Sequence, residues 1–458
     1  MVQDKSMKEH DIKHDIIIEK FLNGGQGLGH DSSGKPVFVT GAYPGEIVDV
    51  EINKEKKNFD MGKVHTYKYK IPQRNQPVCK VFRDCGGCDW LDLDYSFQLK
   101  SKKDIIHEQF MRLGNIDTTG ILQDVLPSQP VYQTRNKMTY ACGFLKGKLV
   151  LGLRTKGSNR IVEPLGCKVV DPQFEHIRKT VQIIFNDIFT PEDLFQTRKR
   201  LGFLRGISIR KTEYTGQFML ILITSLKMTK QLKQLKARLK EELPFLDSII
   251  NVFTRKKSML SGEYATVYGS GTLREHIDWF DYNIPPTAFF QTNTKMLKVF
   301  LDTVKEMAQP NKNEMMMDLY GGVGFFSIYL SPLYKRVILV ESQPESAKAA
   351  RANCSMNKIT NVEIIEKSVE AFLEPAKYID QPDTLIIDPP RAGIEKDALE
   401  HIIEIQPKKI VYCSCDLGTL IRDCSRLVEA GYIIETIQPM DNFPHTAHVE
   451  NICLLKKK

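Results

Sequence analysis

Short runs of aliphatic and β-branched residues, separated by glycines, dominate the first 70 positions of the chain. The runs lie at 16–18, 37–39, 47–52 and 62–65. Glycines and a Pro-Gly pair between them favour tight turns, and closely spaced short strands of this kind are typical of small barrels. Residues 8–68 are therefore predicted to form an OB-like β-barrel, an architecture that often binds nucleic acid.

Between residues 69 and 284 the pattern changes, and strand-like runs alternate with segments of helical period. These segments are 95–113, 148–153, 206–210, 218–223 and 226–243. In the first helical segment Lys100, Lys102 and Lys103 are expected to lie opposite the apolar side. In the second, the lysines favour a solvated face over an RNA contact. A central α+β domain is predicted for 69–284.

From about residue 285 the chain repeats a short apolar run followed by a helix-length interval. The runs are 315–318, 337–341, 362–365, 384–388 and 409–413. Repetition of this kind predicts βαβ units and a mostly parallel, Rossmann-like sheet. The fold class predicted for residues 285–458 is α/β, and the last apolar run, 451–455, is expected to be an edge strand.

Composition and charge narrow the class of protein. The 64 Lys and Arg residues outnumber the 56 Asp and Glu residues, so the 458-residue chain carries a net charge of +8. A basic balance favours a polyanionic partner such as RNA. No apolar run reaches the roughly 18 residues of a membrane helix, and the N-terminus lacks an apolar signal core. We expect a cytoplasmic protein with no membrane partner, and no obligate protein partner is indicated.

A glycine-rich loop follows the first predicted strand of the C-terminal domain. It reads Asp-Leu-Tyr-Gly-Gly-Val-Gly at 318–324, and glycines there let a ligand approach the backbone closely. Glu341 ends the next predicted strand, where an acidic residue typically binds ribose hydroxyls. Because the loop lacks the Gly-Lys-Ser/Thr of phosphate-binding loops, it favours a nucleoside without a polyphosphate. S-adenosylmethionine is such a ligand.

Thiols and candidate bases gather near the C-terminus. Cys413 and Cys415 end a predicted strand, and strand alternation sends both side chains to the same face. Cys415, at the mouth of the sheet, is the candidate nucleophile, and Cys413 is expected to pack in the core. Glu450 is the preferred general base, with His445 and His448 as alternatives. Together with a cofactor pocket, a thiol and a base favour attack on a pyrimidine ring followed by methylation.

A second cysteine cluster lies in the central part of the chain. Cys79, Cys85 and Cys88 fall within ten residues, and the Gly-Gly pair before Cys88 allows a tight loop. Cys167, which also follows a glycine, is the best candidate for a fourth ligand, and Cys142 is a weaker one. Four thiolates suit either an iron-sulfur cluster or zinc, and spacing alone does not separate the two.

Five motifs taken together resemble one family. They are Gly-Ala-Tyr-Pro-Gly-Glu (41–46), Ala-Phe-Phe-Gln-Thr-Asn (288–293), Asp-Pro-Pro-Arg-Ala-Gly (388–393), Ser-Cys-Asp (414–416) and Thr-Ala-His-Val-Glu (446–450). The chain is similar over nearly its whole length to the bacterial RNA uridine C5-methyltransferases with an N-terminal TRAM domain, of the 23S rRNA (uracil-5-)-methyltransferase type. One position departs from the family pattern, since Leu417 stands where the family usually has proline.

The resemblance implies an assignment of site residues. Cys415 would be the nucleophile, Glu450 the base, and Arg135 would lie near the target nucleotide. The S-adenosylmethionine site would be lined by Gln291, Tyr320, Glu341 and Asp388. A [4Fe-4S] cluster, with zinc as the alternative, would be held by Cys79, Cys85, Cys88 and Cys167.

The resemblance also implies a function and its competitors. Residues 92–125 would pack on the C-terminal S-adenosylmethionine-dependent methyltransferase domain. The product would be 5-methyluridine in a loop of 23S ribosomal RNA, formed through a covalent adduct between the thiol and carbon 6. The alternatives are a tRNA uridine C5-methyltransferase, a methyltransferase acting on an exocyclic amine, and an iron-sulfur RNA-binding protein without activity.

Overall fold

The computed structural model describes residues 11–458 except for positions 197, 198, 200, 229, 257 and 375–379. Its strands form a six-stranded N-terminal sheet, a seven-stranded central sheet, a two-stranded hairpin and a seven-stranded C-terminal sheet. Within this described part, no helix has the length and apolar character needed to cross a membrane.

The N-terminal sheet has the strand order β1-β5-β6-β4-β3-β2. Its strands are β1 (Ile12–Ile17), β2 (Lys20–Phe21), β3 (Gly27–His30), β4 (Pro36–Thr40), β5 (Ile47–Glu55) and β6 (Asp60–Tyr69). The all-β unit was predicted, but β2 and β3 were not, because β3 is half glycine. A Cβ on Gly29 would meet the carbonyl oxygen of Ile17 at 2.4 Å, so glycine allows the strands to approach closely. Positions 8–10 of the predicted barrel lie outside the described residues.

The central region combines a mixed sheet of order β13-β12-β11-β10-β7-β8-β9 with helices. Its elements are α1 (Tyr95–Gly114), β7 (Lys137–Leu145), β8 (Lys148–Arg154), β9 (Ile161–Val162), α2 (Gln173–Ile188), β10 (Leu204–Lys211), β11 (Phe218–Thr224), α3 (Leu232–Glu242), β12 (Ser248–Phe253) and β13 (Glu263–Gly269). The hairpin strands β14 (Leu273–Ile277) and β15 (Phe280–Ile284) follow.

Helix α3 begins six residues later than the predicted segment 226–243, of which position 229 lies outside the described residues. Two hydrogen bonds explain the late start. The Thr224 hydroxyl donates to the carbonyl of Leu226, and the Asn251 side chain accepts from the backbone N–H of Met228 at 3.0 Å. These bonds hold the segment between β11 and α3 in a non-helical conformation, so the helix starts further along the chain than predicted.

The C-terminal sheet has the order β18-β17-β16-β19-β20-β22-β21, in which β18 to β20 are parallel and β22 runs antiparallel to both its neighbours. Its elements are α4 (Leu297–Ala308), β16 (Met315–Leu319), α5 (Phe325–Leu330), β17 (Arg336–Val340), α6 (Pro344–Met356), β18 (Val362–Ile365), α7 (Val369–Leu373), β19 (Thr384–Ile387), α8 (Lys396–Ile405), β20 (Lys409–Ser414), α9 (Leu417–Glu429), β21 (Tyr432–Met440) and β22 (Glu450–Lys457).

The predicted edge position of the last strand is wrong. Strand β22 lies between β20 and β21, and β21 is the edge strand. The sequence pattern missed β21 because Glu435, Thr436 and Gln438 interrupt its apolar run and it contains Pro439, both of which weaken a strand signal but are tolerated at an edge.

Helix α1 packs on the C-terminal domain. Ile105, Ile106 and Phe110 share one apolar cluster with Leu420 and Ile421 of α9. Downstream of α1, isolated bridges join Leu122 to Ile437 and Leu126 to Met440 of β21. The helix therefore connects the central region to the sheet that carries the candidate site.

The charge of Lys102 predicts a side chain that faces solvent, but the structure places it in the interior. It is fully buried and forms an ion pair of 2.5 Å with the buried carboxylate of Asp441. The partner lies 339 residues further along the chain, so no local pattern could have indicated the pair.

Candidate functional site

Four predicted site residues follow directly after neighbouring parallel strands. Tyr320 follows β16, Glu341 follows β17, Asp388 follows β19 and Cys415 follows β20. Because the carboxyl ends of these strands meet at one edge of the sheet, the four side chains gather there. Ligands of open α/β sheets bind at this edge.

The glycine-rich loop is tied to Glu341. The Glu341 carboxylate accepts hydrogen bonds from the backbone N–H groups of Gly322, at 2.9 Å, and Gln343, at 2.6 Å. Gly322 and Gly324 adopt positive φ angles of 57° and 91°, which glycine tolerates without strain. The bonds fix the carboxylate in the wall of the cleft, where its remaining lone pairs can accept hydroxyl groups.

Two carboxyl groups lie side by side below this loop. Asp318 accepts hydrogen bonds from the backbone N–H and the hydroxyl of Ser327, and burial raises the pKa of Asp318 to about 7. Burial and the neighbouring Asp318 raise the pKa of Asp388 to about 7 as well. The Gln291 amide donates to Asp388 at 3.2 Å. Asp318 was not predicted as a site residue, although it opens the glycine motif.

The register of two antiparallel strands brings the candidate nucleophile and base together. In the pairing of β20 with β22, the last matched residues are Ser414 and Asn451. The next residues along each strand are Cys415 and Glu450, so these two stand opposite each other. Opposed residues of antiparallel strands have Cα atoms about 4.5–5.5 Å apart.

The environment of this pair disfavours charge. Burial raises the pKa of Glu450 well above its usual range, and the nearby Asp388 adds to the effect. Burial and the Glu450 charge raise the pKa of Cys415 to about 11, while the Arg391 guanidinium lowers it by its charge and by a hydrogen bond. Arg391 is therefore the group that favours a thiolate at this position.

The competing candidates lie elsewhere. Cys413 is fully buried in the sheet, as its deeper position in the strand predicts. His445 is 3% exposed and stacks on Tyr132 with ring centroids 4.8 Å apart. His448 is exposed, and neither histidine is among the residues that line the cleft.

Leu417, where the family pattern breaks, is the first residue of α9. Asp416 caps this helix by accepting a hydrogen bond from the backbone N–H of Thr419 at 3.0 Å. Proline is favoured at the first helical position because it has no N–H to satisfy there, but a capped helix does not need it. The leucine side chain is 4% exposed and packs in the core. The turn between Cys415 and α9 therefore forms without a proline at position 417.

The predicted cofactor-binding and catalytic side chains line one cleft of about 1980 Å³. The C-terminal domain contributes the cofactor candidates, the candidate nucleophile and the candidate base: Gln291, Tyr320, Glu341, Asp388, Cys415 and Glu450. The central region contributes basic side chains to the lining of the same cleft, namely Lys137, Arg154, Arg255 and Lys256. Small-molecule pockets usually measure about 300–1,000 Å³, so the cleft exceeds the needs of one cofactor.

The four predicted cluster cysteines line a separate cavity of about 200 Å³. Burial raises the pKa of the Cys88 thiol to about 12 and also raises the pKa values of Cys85 and Cys167. Cys142 lies in β7 and does not line this cavity. Across the described residues, no three Cys, His, Asp or Glu side chains are placed to hold a single metal ion.

Arg135 lines the cysteine cavity and not the cleft. Its neighbour Asn136 donates a side-chain hydrogen bond of 2.9 Å to the carbonyl of Gln291, and the Asn136 backbone N–H donates to Thr292. The segment therefore joins the cysteine cavity to the cofactor side of the cleft.

Two family models match the chain. A tRNA (Uracil-5-)-methyltransferase model matches residues 211–458, and a TRAM domain model matches residues 13–64. An RNA methyltransferase of Thermotoga maritima is 38% identical over 443 residues, which cover 96% of this chain and 98% of the relative. One of Clostridium acetobutylicum is 34% identical over 448 residues and covers 97% of each chain.

A solved structure gives the same result in three dimensions. The Pyrococcus abyssi tRNA (uracil-54, C5)-methyltransferase, in complex with S-adenosyl-L-homocysteine, superposes with a TM-score of 0.73 at 26% identity and covers 96% of this chain and 99% of that chain. The sheet order, the site at its carboxyl edge and these matches agree. The chain therefore belongs to the TRAM-domain RNA (uracil-5-)-methyltransferases, enzymes that use S-adenosylmethionine.

Proposed function

We propose that this enzyme methylates carbon 5 of a uridine in a loop of 23S ribosomal RNA, in the cytoplasm, through a covalent adduct between Cys415 and carbon 6. The observation that carries the proposal is the strand register that sets Cys415 opposite Glu450 in the cleft. The motif resemblance favours 23S ribosomal RNA. The tRNA named for the structural neighbour makes tRNA the alternative.

The chemistry requires two groups because carbon 5 of uracil is a poor nucleophile. The Cys415 thiolate adds to carbon 6, and the resulting enolate makes carbon 5 nucleophilic. Carbon 5 then takes the methyl group of S-adenosylmethionine, which leaves as S-adenosylhomocysteine. The Glu450 carboxylate removes the carbon 5 proton, and the electron pair expels the thiolate and restores the double bond.

The raised pKa of the Cys415 thiol indicates a role for Arg391. A thiol with a pKa of about 11 carries little negative charge at neutral pH, so addition needs a cation beside it. Arg391 supplies this charge from the Asp-Pro-Pro-Arg turn that follows β19. The cofactor would be held by a separate set of residues in the same cleft, namely Glu341, Gln291, Asp388 and Tyr320.

Access to the ring sets a further requirement. Carbon 6 cannot reach Cys415 while the base is stacked, so the uridine has to turn out of its loop. The volume of the cleft allows a nucleotide and a cofactor to be bound together. Arg154 and Arg255 are among its lining residues, and in this proposal they would contact phosphates.

The decisive experiment uses RNA that contains 5-fluorouridine, because fluorine cannot leave as a proton and the adduct is trapped. With S-adenosylmethionine we expect a denaturant-stable protein–RNA complex from the wild type and none from Cys415→Ala. Cys413→Ala is the matched control, since that thiol ends the same strand but is buried, and it should still form the adduct. A wild type that methylates its RNA without trapping, or trapping by Cys415→Ala, contradicts the mechanism.

The choice between RNA classes needs a separate measurement. Transfer of a labelled methyl group to 23S ribosomal RNA and to tRNA, both lacking the modification, should show labelling of ribosomal RNA. Labelling of tRNA alone would replace the proposed substrate with the alternative and leave the mechanism standing.

We also propose a [4Fe-4S] cluster at Cys79, Cys85, Cys88 and Cys167. The four thiols line one cavity of about 200 Å³, and four cysteine thiolates are the ligand set of a [4Fe-4S] cluster. Zinc, which also binds four thiolates, is the alternative, and the family resemblance favours the cluster. Methyl transfer needs no electron, so the cluster would stabilise the cysteine loop.

Metal content tests this assignment. Protein purified without oxygen should contain about four iron atoms per chain, and Cys167→Ser should lose them. Cys142→Ser changes a cysteine outside the cavity and should keep the iron. Stoichiometric zinc in a colourless preparation would overturn the cluster assignment.

A further inference from the structure

The loop between β21 and β22 carries the chain to Glu450, and its central peptide is held from outside the C-terminal domain. The carbonyl of His445 accepts hydrogen bonds from the backbone N–H groups of Asp89 and Trp90, both at 3.0 Å. These residues directly follow Cys88. His445 has a positive φ of 65°, a conformation that a non-glycine residue keeps only where its surroundings hold it.

Gln98 completes the attachment from the other side. Its amide oxygen accepts the backbone N–H of His445 at 3.0 Å, and its amide nitrogen donates to the carbonyls of Trp90, at 3.0 Å, and Leu93, at 2.8 Å. Gln98 lies on α1 and is fully buried. One side chain therefore joins α1, the segment after the cysteine loop and the loop before Glu450.

The rest of the loop is held by the same helix. Asp441 forms its ion pair with Lys102 and accepts a hydrogen bond of 2.8 Å from the Tyr95 hydroxyl. Among the described residues, no side chain forms a hydrogen bond with the Glu450 carboxyl. The position of this carboxyl is therefore set by the backbone, through the pairing of β22 with its neighbours and through the loop that leads into it.

We propose that Gln98 is a positioning residue for proton abstraction, which fixes the His445 peptide and through it the carboxyl of Glu450. The inference rests on the proposed function. Gln98 is not among the residues that line the cleft with the thiol and the cofactor candidates, and its side-chain hydrogen bonds go to Trp90, Leu93 and His445. Loss of Gln98 should therefore leave thiol addition and methyl transfer in place and slow the step that needs the base.

The test variant is Gln98→Met, which keeps the length of the side chain and removes its hydrogen bonds. Gln98→Glu retains the oxygen that accepts the His445 N–H and serves as the conservative variant. Gln109→Met is the matched control, because Gln109 is also buried on α1 but bonds to Arg112 and not to the 441–449 loop. Circular dichroism and thermal unfolding compare the folded states.

Three readouts separate the steps. Release of tritium from [5-³H]uridine RNA reports proton abstraction, denaturant-stable adduct on ordinary RNA reports a stalled intermediate, and adduct on 5-fluorouridine RNA reports addition and methyl transfer. For Gln98→Met we expect tritium release to fall at least about tenfold, adduct on ordinary RNA to accumulate, and the rate of trapping on 5-fluorouridine RNA and the KM to stay within about twofold. Gln98→Glu should be intermediate and Gln109→Met unchanged.

The outcomes distinguish the two claims. Tritium release at the wild-type rate in Gln98→Met overturns the positioning role, and so does an equal fall in release and trapping, which would mark a general structural defect. If Gln98→Met does not fold, Gln98→Glu decides by the same criteria. Failure of the wild type to form any adduct on 5-fluorouridine RNA would instead reject the covalent mechanism.

Discussion

The buried pair Lys102–Asp441 makes a quantitative prediction about stability. Both side chains have no exposed surface, and Asp441 also accepts the Tyr95 hydroxyl and the backbone N–H of Phe443. Replacing Lys102 with methionine leaves a buried carboxylate without its counter-charge. Removing one partner of a buried pair costs about 3–5 kcal/mol, most of it the desolvation of the charge that stays.

The second half of the prediction concerns the double variant. Asp441→Asn removes the stranded charge and keeps one of the two side-chain oxygens, which accept from the Tyr95 hydroxyl and from the Phe443 N–H. Lys102→Met/Asp441→Asn should therefore recover most of the loss, because a neutral pair of similar volume is often as stable as the ion pair. For a domain of this size, 3–5 kcal/mol corresponds to a fall in Tm of roughly 6–20 °C in the single variant.

Thermal unfolding followed by circular dichroism at pH 7.5 measures this difference. Lys103→Met is the matched control on the same helix, since Lys103 pairs with Asp124, which is 94% exposed, and an exposed pair contributes less than about 1 kcal/mol. The reasoning is refuted if the Tm of Lys102→Met lies within about 2 °C of the wild-type Tm, as that of the control should. It is also refuted if the loss of stability in the double variant equals the sum of the losses in the two single variants.

Three further predictions concern charge in the cleft. Glu450→Gln should trap adduct on ordinary uridine RNA and release no tritium from carbon 5, and turnover at the wild-type rate would exclude it as the base. Arg391→Met should raise the pKa of Cys415 and slow trapping on 5-fluorouridine RNA at pH 7.5 by about three- to tenfold, less as the pH approaches 10, whereas Arg391→Lys should be closer to wild type. Protonated Asp318 contributes stability that is present below its unfolded pKa and is lost as pH rises through about 7. The Tm of Asp318→Asn should therefore increase relative to that of the wild type between about pH 5 and 8. A Tm difference that does not change with pH would contradict the raised pKa.

The sequence predicted part of the candidate site because that part follows from local patterns. An apolar run predicts a strand, strands separated by helices predict a parallel sheet, and residues that follow such strands share one edge. Glu341 and Cys415 were located in this way. The family resemblance added Tyr320, Asp388 and Gln291, and Gln291 reaches the same edge from the segment before α4.

The base side of the site could not be predicted in the same way. Lys102 is charged, so its residue type predicts solvent, although it shares a helix face with Ile105 and Ile106. Its partner is Asp441 in a distant loop, which no local pattern indicates. The placement of β22 between β20 and β21 brings Glu450 to Cys415, and a pattern of apolar residues does not specify strand order. Gln98 gives no signal, because a single glutamine on a helix is usually solvated.

These two halves of the site differ in what holds them. The cofactor side is fixed by the parallel sheet and by hydrogen bonds within the C-terminal domain, such as those of Glu341 to the glycine loop. The base side depends on a loop whose carbonyl and N–H are bound by residues 89, 90 and 98. The cysteine loop ends at residue 88, so the residues that bind the His445 carbonyl follow it directly. If Glu450 is the base, proton abstraction therefore depends on contacts made from outside the C-terminal domain, and the step to test for that dependence is the last one of the proposed reaction.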